Sequence, residues 1–329
     1  MKFIYPEKLK MGDEIRVIAP SLSMDILSHE TVNYAVNCLK EKGFIISFGK
    51  HVHETDLLQS SSIESRIADL HEAFADTNVK AILTAIGGYN CNQLLEYIDW
   101  SLLAKNPKII CGYSDITILL NALFAKTGII TYYGPHFSTF GQEILDRYTI
   151  DYFLQALTKE DPFEIASAKS WSDDAWFLDQ NNRILKKNSG HWIIQPGFAS
   201  GTLIGGHLGT LCLLQGTEYM PLLPHTILAI EEDAEAANPS EFDRHLQSVL
   251  QQPGAENIAG ILIGRFEESY GMTRELLAHI IKTKKILQDK PVIANIDFGH
   301  TEPHCTLSIG SKVEIMAQNT ITSIKVNNY

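Results

Sequence analysis

The feature that most constrains this chain is an alternation in its first half. Short apolar runs trade places with segments of helical spacing. Glu14 to Ala19 is a buried strand that ends at Pro20-Ser21, and Thr31 to Lys42 is a helix stopped by Gly43. Phe44 to Ser47 is a strand, and Ile63 to Ala75 is a helix with Ile63, Ile67, Leu70 and Phe74 on one face. Lys80 to Ala85 is a strand leading to Gly87-Gly88, followed by a helix over Cys91 to Ile98. Lys108 to Cys111, a helix over Asp115 to Lys126 and a strand over Ile129 to Tyr133 complete the series. Such a series predicts a doubly wound α/β unit, a mostly parallel sheet with helices on both faces. Ligands of such sheets bind beyond the carboxyl ends of the strands.

At 329 residues the chain has room for two domains of about 150 residues each, with a core large enough to need no disulfide or metal staple. Residues 1–160 form the α/β unit. Residues 161–195, polar with isolated tryptophans at 171, 176 and 192, read as a linker or flap, or more plainly as a surface loop with one tryptophan tucked inward. Residues 196–329 read as a smaller β-rich domain. Strands are expected at 201–206, 226–230, 258–263, 292–296 and 312–316, with a short helix after His207 and another over Glu241 to Leu250 behind an Asn238-Pro239-Ser240 cap. The formal charge of −12 argues against a nucleic-acid polymer or an anionic membrane as partner. Five widely spaced cysteines without a C-x-x-C pair, no signal-peptide pattern and no apolar run of about 18 residues predict a cytoplasmic protein.

The sharpest local signal is Cys111-Gly112-Tyr113-Ser114-Asp115-Ile116-Thr117, where a strand turns through glycine into a helix. That context can lift a serine Oγ above a sheet, with backbone N–H groups of the helix start near an oxyanion. The usual elbow has glycine two places after the serine, and here Ile116 stands there, so Ser114 can equally be read as a helix cap. A serine nucleophile needs a base, and the base an orienting carboxylate. His300, after a strand and Gly299, is the best base candidate. Its carboxylate would come from Glu231-Glu232-Asp233, a run that ordinarily marks a solvated edge, because three ionised acids cannot be buried together unpaired. Gly87-Gly88-Tyr89-Asn90 lacks the dinucleotide pattern and suits a plain turn or an oxyanion hole built from the N–H groups of Gly88 and Asp115. His51-Val52-His53 has no further metal ligand nearby, and Pro303 separates His300 from His304, so neither pair predicts a metal site.

Six motifs in this order resemble those of the LD-carboxypeptidase and microcin C self-immunity serine peptidases: Gly87-Gly88-Tyr89-Asn90, Gly112 to Thr117, Tyr133-Gly134-Pro135, Gly201 to Gly206, Ile230 to Asp233 and Phe298 to Pro303. The resemblance spans nearly the whole chain. It implies an α/β domain, a flap and a β-rich domain, a Ser114-Glu231-His300 triad across the domain interface, no cofactor, and a homodimer. Glu232 is the rival acid if the register slips by one. His207 departs from the asparagine common at that place. The Trp171-Ser172-Asp173-Asp174 segment looks like the self-immunity branch, in which a flap tryptophan stacks on adenine; Trp171 or Trp176 would do so here, with Tyr89 and Asn90 at the substrate. The implied substrate is an aminoacyl or peptidyl nucleotide of the microcin C type. The alternatives are a murein tetrapeptide losing its terminal D-alanine and, from another class, a non-catalytic α/β protein holding a small ligand.

Overall fold

The computed structural model describes residues 3–235 and 238–329. Its first half runs β1 (Glu14–Ile18), α1 (His29–Glu41), β2 (Ile45–Phe48), α2 (Ile63–Ala75), β3 (Val79–Thr84), α3 (Trp100–Lys105), β4 (Ile109–Gly112), α4 (Thr117–Thr127), β5 (Thr131–Tyr133) and α5 (Arg147–Thr158). Serines start the first two helices: Ser28 accepts from the Thr31 N–H and Ser62 from the Ser65 N–H. The helix expected over 91–98 is a single 3-10 turn at Cys91–Leu94; the true helix begins later, where Asp99 caps the Leu102 N–H. Helix α5, capped by Asp146, was not anticipated from the sequence.

The second half adds β6 (Phe163–Glu164), β7 (Ser170–Trp171), β8 (Lys186–Lys187), β9 (Trp192–Gln195), β10 (Gly197–His207), α6 (Leu208–Cys212), β11 (Thr226–Glu231), α7 (Pro239–Leu250) and β12 (Gly260–Gly264). It ends with α8 (Arg274–Thr283), β13 (Val292–Ile296), β14 (Leu307–Ile309), β15 (Lys312–Gln318) and β16 (Ile321–Val326). Of these, α8, β14 and β16 lie outside the sequence expectation, as do the four short strands β6 to β9 in the segment read as linker or flap. The first sheet has the order β14-β5-β4-β3-β1-β2 and is parallel except for β14. The second has eight strands, β6-β16-β15-β10-β11-β12-β13-β9, parallel through its middle from β10 to β13. The chain is therefore a mixed α/β fold with a mostly parallel sheet and a separate sheet-rich C-terminal domain.

The two sheets are interlocked. Strand β14 comes from the C-terminal half yet closes the edge of the first sheet beside β5, and β6 comes from the connecting segment yet pairs with β16. Segment 161–195 is tied down at several points. Strands β7 and β8 pair, β9 adds to β13, and Ser172 exchanges both backbone hydrogen bonds with Glu302 at 2.7 and 2.8 Å.

Helix α4 joins the halves. Every residue from Thr117 to Phe124 is buried, so the helix has no solvent face over that stretch. Its one amide, Asn121, accepts from the Gly205 N–H at 3.1 Å and donates to the Gly205 carbonyl at 2.7 Å, so β10 docks with its interior polar groups satisfied. Gly206 makes the approach possible. At φ +133° a Cβ there would lie 2.5 Å from Thr117 Oγ1 and 2.7 Å from the Tyr133 ring. The glycines at 205 and 206 sit inside one long strand and let a helix press against it.

Candidate functional site

The loops after β3, β4, β11 and β13 converge beyond the carboxyl ends of the parallel strands. Ser114 follows β4 and has φ +58°, a left-handed conformation that a non-glycine residue adopts at a cost of about 1 kcal/mol or more. The room that the missing glycine at position 116 would have provided comes from Gly87 on the neighbouring loop. A Cβ on Gly87 would sit 3.0 Å from Ser114 Cβ and 3.1 Å from its Oγ. Reading Ser114 as a helix cap is overturned, because neither the turn at Ser114–Ile116 nor α4 takes a side-chain cap.

Ser114 Oγ lies 3.1 Å from His300 Nε2, and His300 Nδ1 lies 2.8 Å from Glu231 Oε2. The structure thus brings Ser114, His300 and Glu231 into one line, the serine from the first half and the other two from the second. Tyr133 completes it: its hydroxyl donates to Glu231 Oε1 at 2.5 Å and accepts from the Ser114 N–H at 3.2 Å. Burial alone would depress the His300 pKa, but Glu231, Asp233 and Glu267 outweigh it and push it up to about 9. Burial would raise the Glu231 carboxyl, yet His300, His207 and the Tyr133 hydroxyl hold it below its ordinary value. The acid end of the line stays ionised and the imidazole is poised to carry charge.

The acidic run is not a solvated edge. Glu231 and Glu232 are both fully enclosed. They escape mutual repulsion because different imidazoles serve them: His300 faces Glu231, while His245 Nδ1 lies 2.8 Å from Glu232 Oε1. Glu232 therefore points away from the Ser114 line, and the register question raised by the sequence falls to Glu231.

Asp115 is buried, and its carboxylate accepts from Ser21 Oγ at 2.6 Å and from the Cys91 N–H at 2.8 Å. It fastens the turn that carries Ser114 to the loops after β1 and β3. Gly88, at φ +146°, packs against Ser21 and Leu22 in the same knot. Asn90 is buried within it, its Oδ1 accepting from Arg66 at 3.0 Å, so its amide faces the interior. Tyr89 is exposed, with its hydroxyl on the Leu58 carbonyl. In the connecting segment, Trp171 carries Lys186 Nζ 4.7 Å and the Arg265 guanidinium 4.9 Å from its ring centre, whereas Trp176 packs edge-on against exposed Phe177. Sequence reasoning passed over Tyr133 as a working side chain, and over Arg66 and Ser21, which organise the loops. Tyr133 did stand in one of the six motifs. His51 and His53 turn to separate carboxylates, Asp69 and Asp25. Among the described residues no cluster of three or more His, Cys, Asp or Glu side chains could hold a metal ion.

Two family models match the chain: the LD-carboxypeptidase N-terminal domain over residues 15–134 and the LD-carboxypeptidase C-terminal domain over residues 200–315. The Bacillus subtilis protein YocD is 49% identical, with 99% of this chain and 100% of the relative covered. The Escherichia coli microcin C7 self-immunity protein MccF is 31% identical over 96% and 94%. A murein tetrapeptide carboxypeptidase of Pseudomonas aeruginosa is 27% identical over 82% and 80%. Among solved structures, an MccF-like protein from Bacillus anthracis superposes with a TM-score of 0.98 at 49% identity, covering 99% of this chain and 100% of that one. MccF in complex with aspartyl sulfamoyl adenosine superposes at 0.87 with 29% identity and 99% of each chain covered.

Proposed function

Because the chain belongs to the LD-carboxypeptidase family, we propose that it hydrolyses the amide bond of an aminoacyl or peptidyl nucleotide through Ser114, His300 and Glu231. Membership makes it a serine-type carboxypeptidase. The observation that carries the finer reading is the continuous line from Ser114 Oγ to His300 Nε2, at 3.1 Å, and from His300 Nδ1 to buried Glu231, at 2.8 Å.

His300 takes the Ser114 proton as Oγ attacks the carbonyl carbon, and Glu231 stabilises the imidazolium that forms. The backbone N–H groups of Gly88 and Asp115 receive the oxyanion. His300 returns the proton to the leaving nitrogen, an acyl-Ser114 ester remains, and water activated by His300 cleaves it. Substrate choice leans on the ligand of the MccF complex, an aminoacyl nucleotide analogue. With Trp171 already covered by two cations, Trp176 is the flap aromatic free to stack on a base. The working form is a homodimer in this reading.

Incubating the protein with aspartyl sulfamoyl adenosine and, in parallel, with a murein tetrapeptide tests this. Mass spectrometry should show the free amino acid and sulfamoyl adenosine from the first, and Ser114→Ala should lower turnover about a thousandfold or more. Release of D-alanine from the tetrapeptide alone would transfer the assignment to murein chemistry, for which the Pseudomonas relative speaks. Turnover that survives Ser114→Ala would remove the nucleophile, and failure of a fluorophosphonate to label Ser114 would favour a non-catalytic binding protein.

A further inference from the structure

The run that ends β11 sets a second imidazole against the base. Asp233 Oδ2 lies 3.2 Å from His207 Nε2 and 3.8 Å from His300 Nε2, and the latter nitrogen is the one that faces Ser114. The His207 and His300 rings are 5.5 Å apart at 73°. His207 is fixed from its far side. Its Nδ1 accepts from the Thr210 N–H at 3.2 Å, at the start of α6, so the neutral ring carries its proton on Nε2, which faces Asp233 Oδ2 at 3.2 Å and Glu232 Oε2 at 3.4 Å without the alignment of a hydrogen bond to either. The His207 N–H donates to Thr117 Oγ1 at 2.9 Å, which ties the same residue to the helix that follows the nucleophile. Acyl transfer as derived above uses none of these contacts.

We propose that His207 is a positioning residue for the base: by holding Asp233, it limits how strongly that carboxylate draws the proton on His300 Nε2, and so sets the pH at which Ser114 is armed. This rests on the reading of Ser114, Glu231 and His300 as the working line. The charged groups facing His300 are Glu231 at the end of β11, Asp233 just after it, Glu267 in the segment after β12, and His207 at the end of β10; His136 and His304 add imidazoles, the Tyr113 ring packs 5.2 Å from His300, and Glu232 faces His207 at 3.4 Å. Asp233 is the member of this set that faces both imidazoles. Burial would raise its carboxyl, but His207 and His300 hold it well below the usual range.

The signs follow from the chemistry. His300 accepts a proton only when neutral, so reactivity of Ser114 falls on the acid side with a midpoint at the His300 pKa. Asp233→Asn removes a negative charge 3.8 Å from Nε2, which destabilises the imidazolium and moves the midpoint to lower pH. His207→Asn keeps a side-chain acceptor for the Thr210 N–H but loses the Nε2 donor. Asp233 is then free to turn to His300, and the midpoint moves to higher pH. The double variant behaves as Asp233→Asn, because His207 acts through Asp233.

The readout is the rate at which a fluorophosphonate labels Ser114 between pH 5 and 10, which needs no knowledge of the substrate. Shifts of about half a pH unit in opposite directions are expected, about threefold in rate at a fixed pH on the limb. A merely structural role would lower the rate at every pH and leave the midpoint in place. Unmoved midpoints, or shifts of both single variants in the same direction, overturn the proposal, and His207→Asn alone decides its sign if Asp233→Asn does not fold. Labelling that is unaffected by Ser114→Ala would instead overturn the underlying reading of the line.

Discussion

Tyr133 shows how much one hydroxyl can organise. It lies at the buried end of β5, where its partner across the strands is Gly112, two residues before Ser114. Burial and the nearby Glu231 charge push its pKa well up, so the phenol keeps its proton and donates it to the carboxylate. Tyr133→Phe is expected to lower kcat/KM about tenfold and to cost roughly 1–3 kcal/mol of stability, since it leaves a buried carboxylate oxygen without its partner. Steady-state kinetics and urea titration check both, and wild-type values in each would show the contact to be idle. Ser114 and His300 were legible as candidates because each follows the end of an apolar run and carries reactive chemistry, whereas only the family resemblance set Glu231 apart from Glu232 and Asp233. Tyr133 was hidden for the opposite reason: a tyrosine in an apolar strand reads as core, and no linear pattern says that β5 lies beside β4.

Elements were readable where their periodicity was long and bounded. Helices α1 and α2 have serine caps, and the alternation of strands in the first half needs no tertiary information. Strand β14, three residues of Leu-Ser-Ile, is too short for any period to show. The glycines of β10 fall inside an expected strand, but their packing role is hidden because turn glycines and packing glycines look alike in sequence. Their role here is the contact with α4, the helix that follows Ser114. Gly206→Ala would drive a methyl group into Thr117 and Tyr133, and backbone strain adds to the overpacking, for an expected loss of about 2–4 kcal/mol. Activity should fall in the folded fraction as well, because the strand that moves carries His207 and adjoins the one carrying Glu231. Chemical denaturation together with the specific activity of the soluble protein tests this, and a variant of wild-type stability would mean that β10 does not press on the helix.

At the scale of the molecule, the connecting segment is clamped to the second half. Asp297 accepts from Arg265 at 2.5 Å and from the Ala168 N–H at 2.9 Å, and Ser172 pairs with Glu302. The Glu302 side chain is mostly buried there, with 14% of its surface exposed. Burial above all, with Asp146 and Asp174 adding to it, outweighs Arg183 and Gln142 and raises its pKa from 4.5 to about 8. The folded protein keeps a proton that the unfolded chain gives up above 4.5, so this group's contribution to stability is complete below pH 4.5 and is lost as pH rises through about 8. Glu302→Gln removes the dependence. Its unfolding midpoint should decline less than that of the wild type between pH 5 and 8.5, and at the upper end the variant should be more stable by an amount on the order of a few kcal/mol. Parallel curves would show that the carboxyl ionises in the fold without penalty.

Strand β14 bears on how the protein is made. A ribosome releases residue 114 long before residues 307–309, so the sheet beneath the serine waits, one edge uncovered, until that later stretch has emerged. Glu231 and His300 also emerge late. A nascent or shortened product that stops before residue 300 therefore holds Ser114 without the imidazole that faces it here.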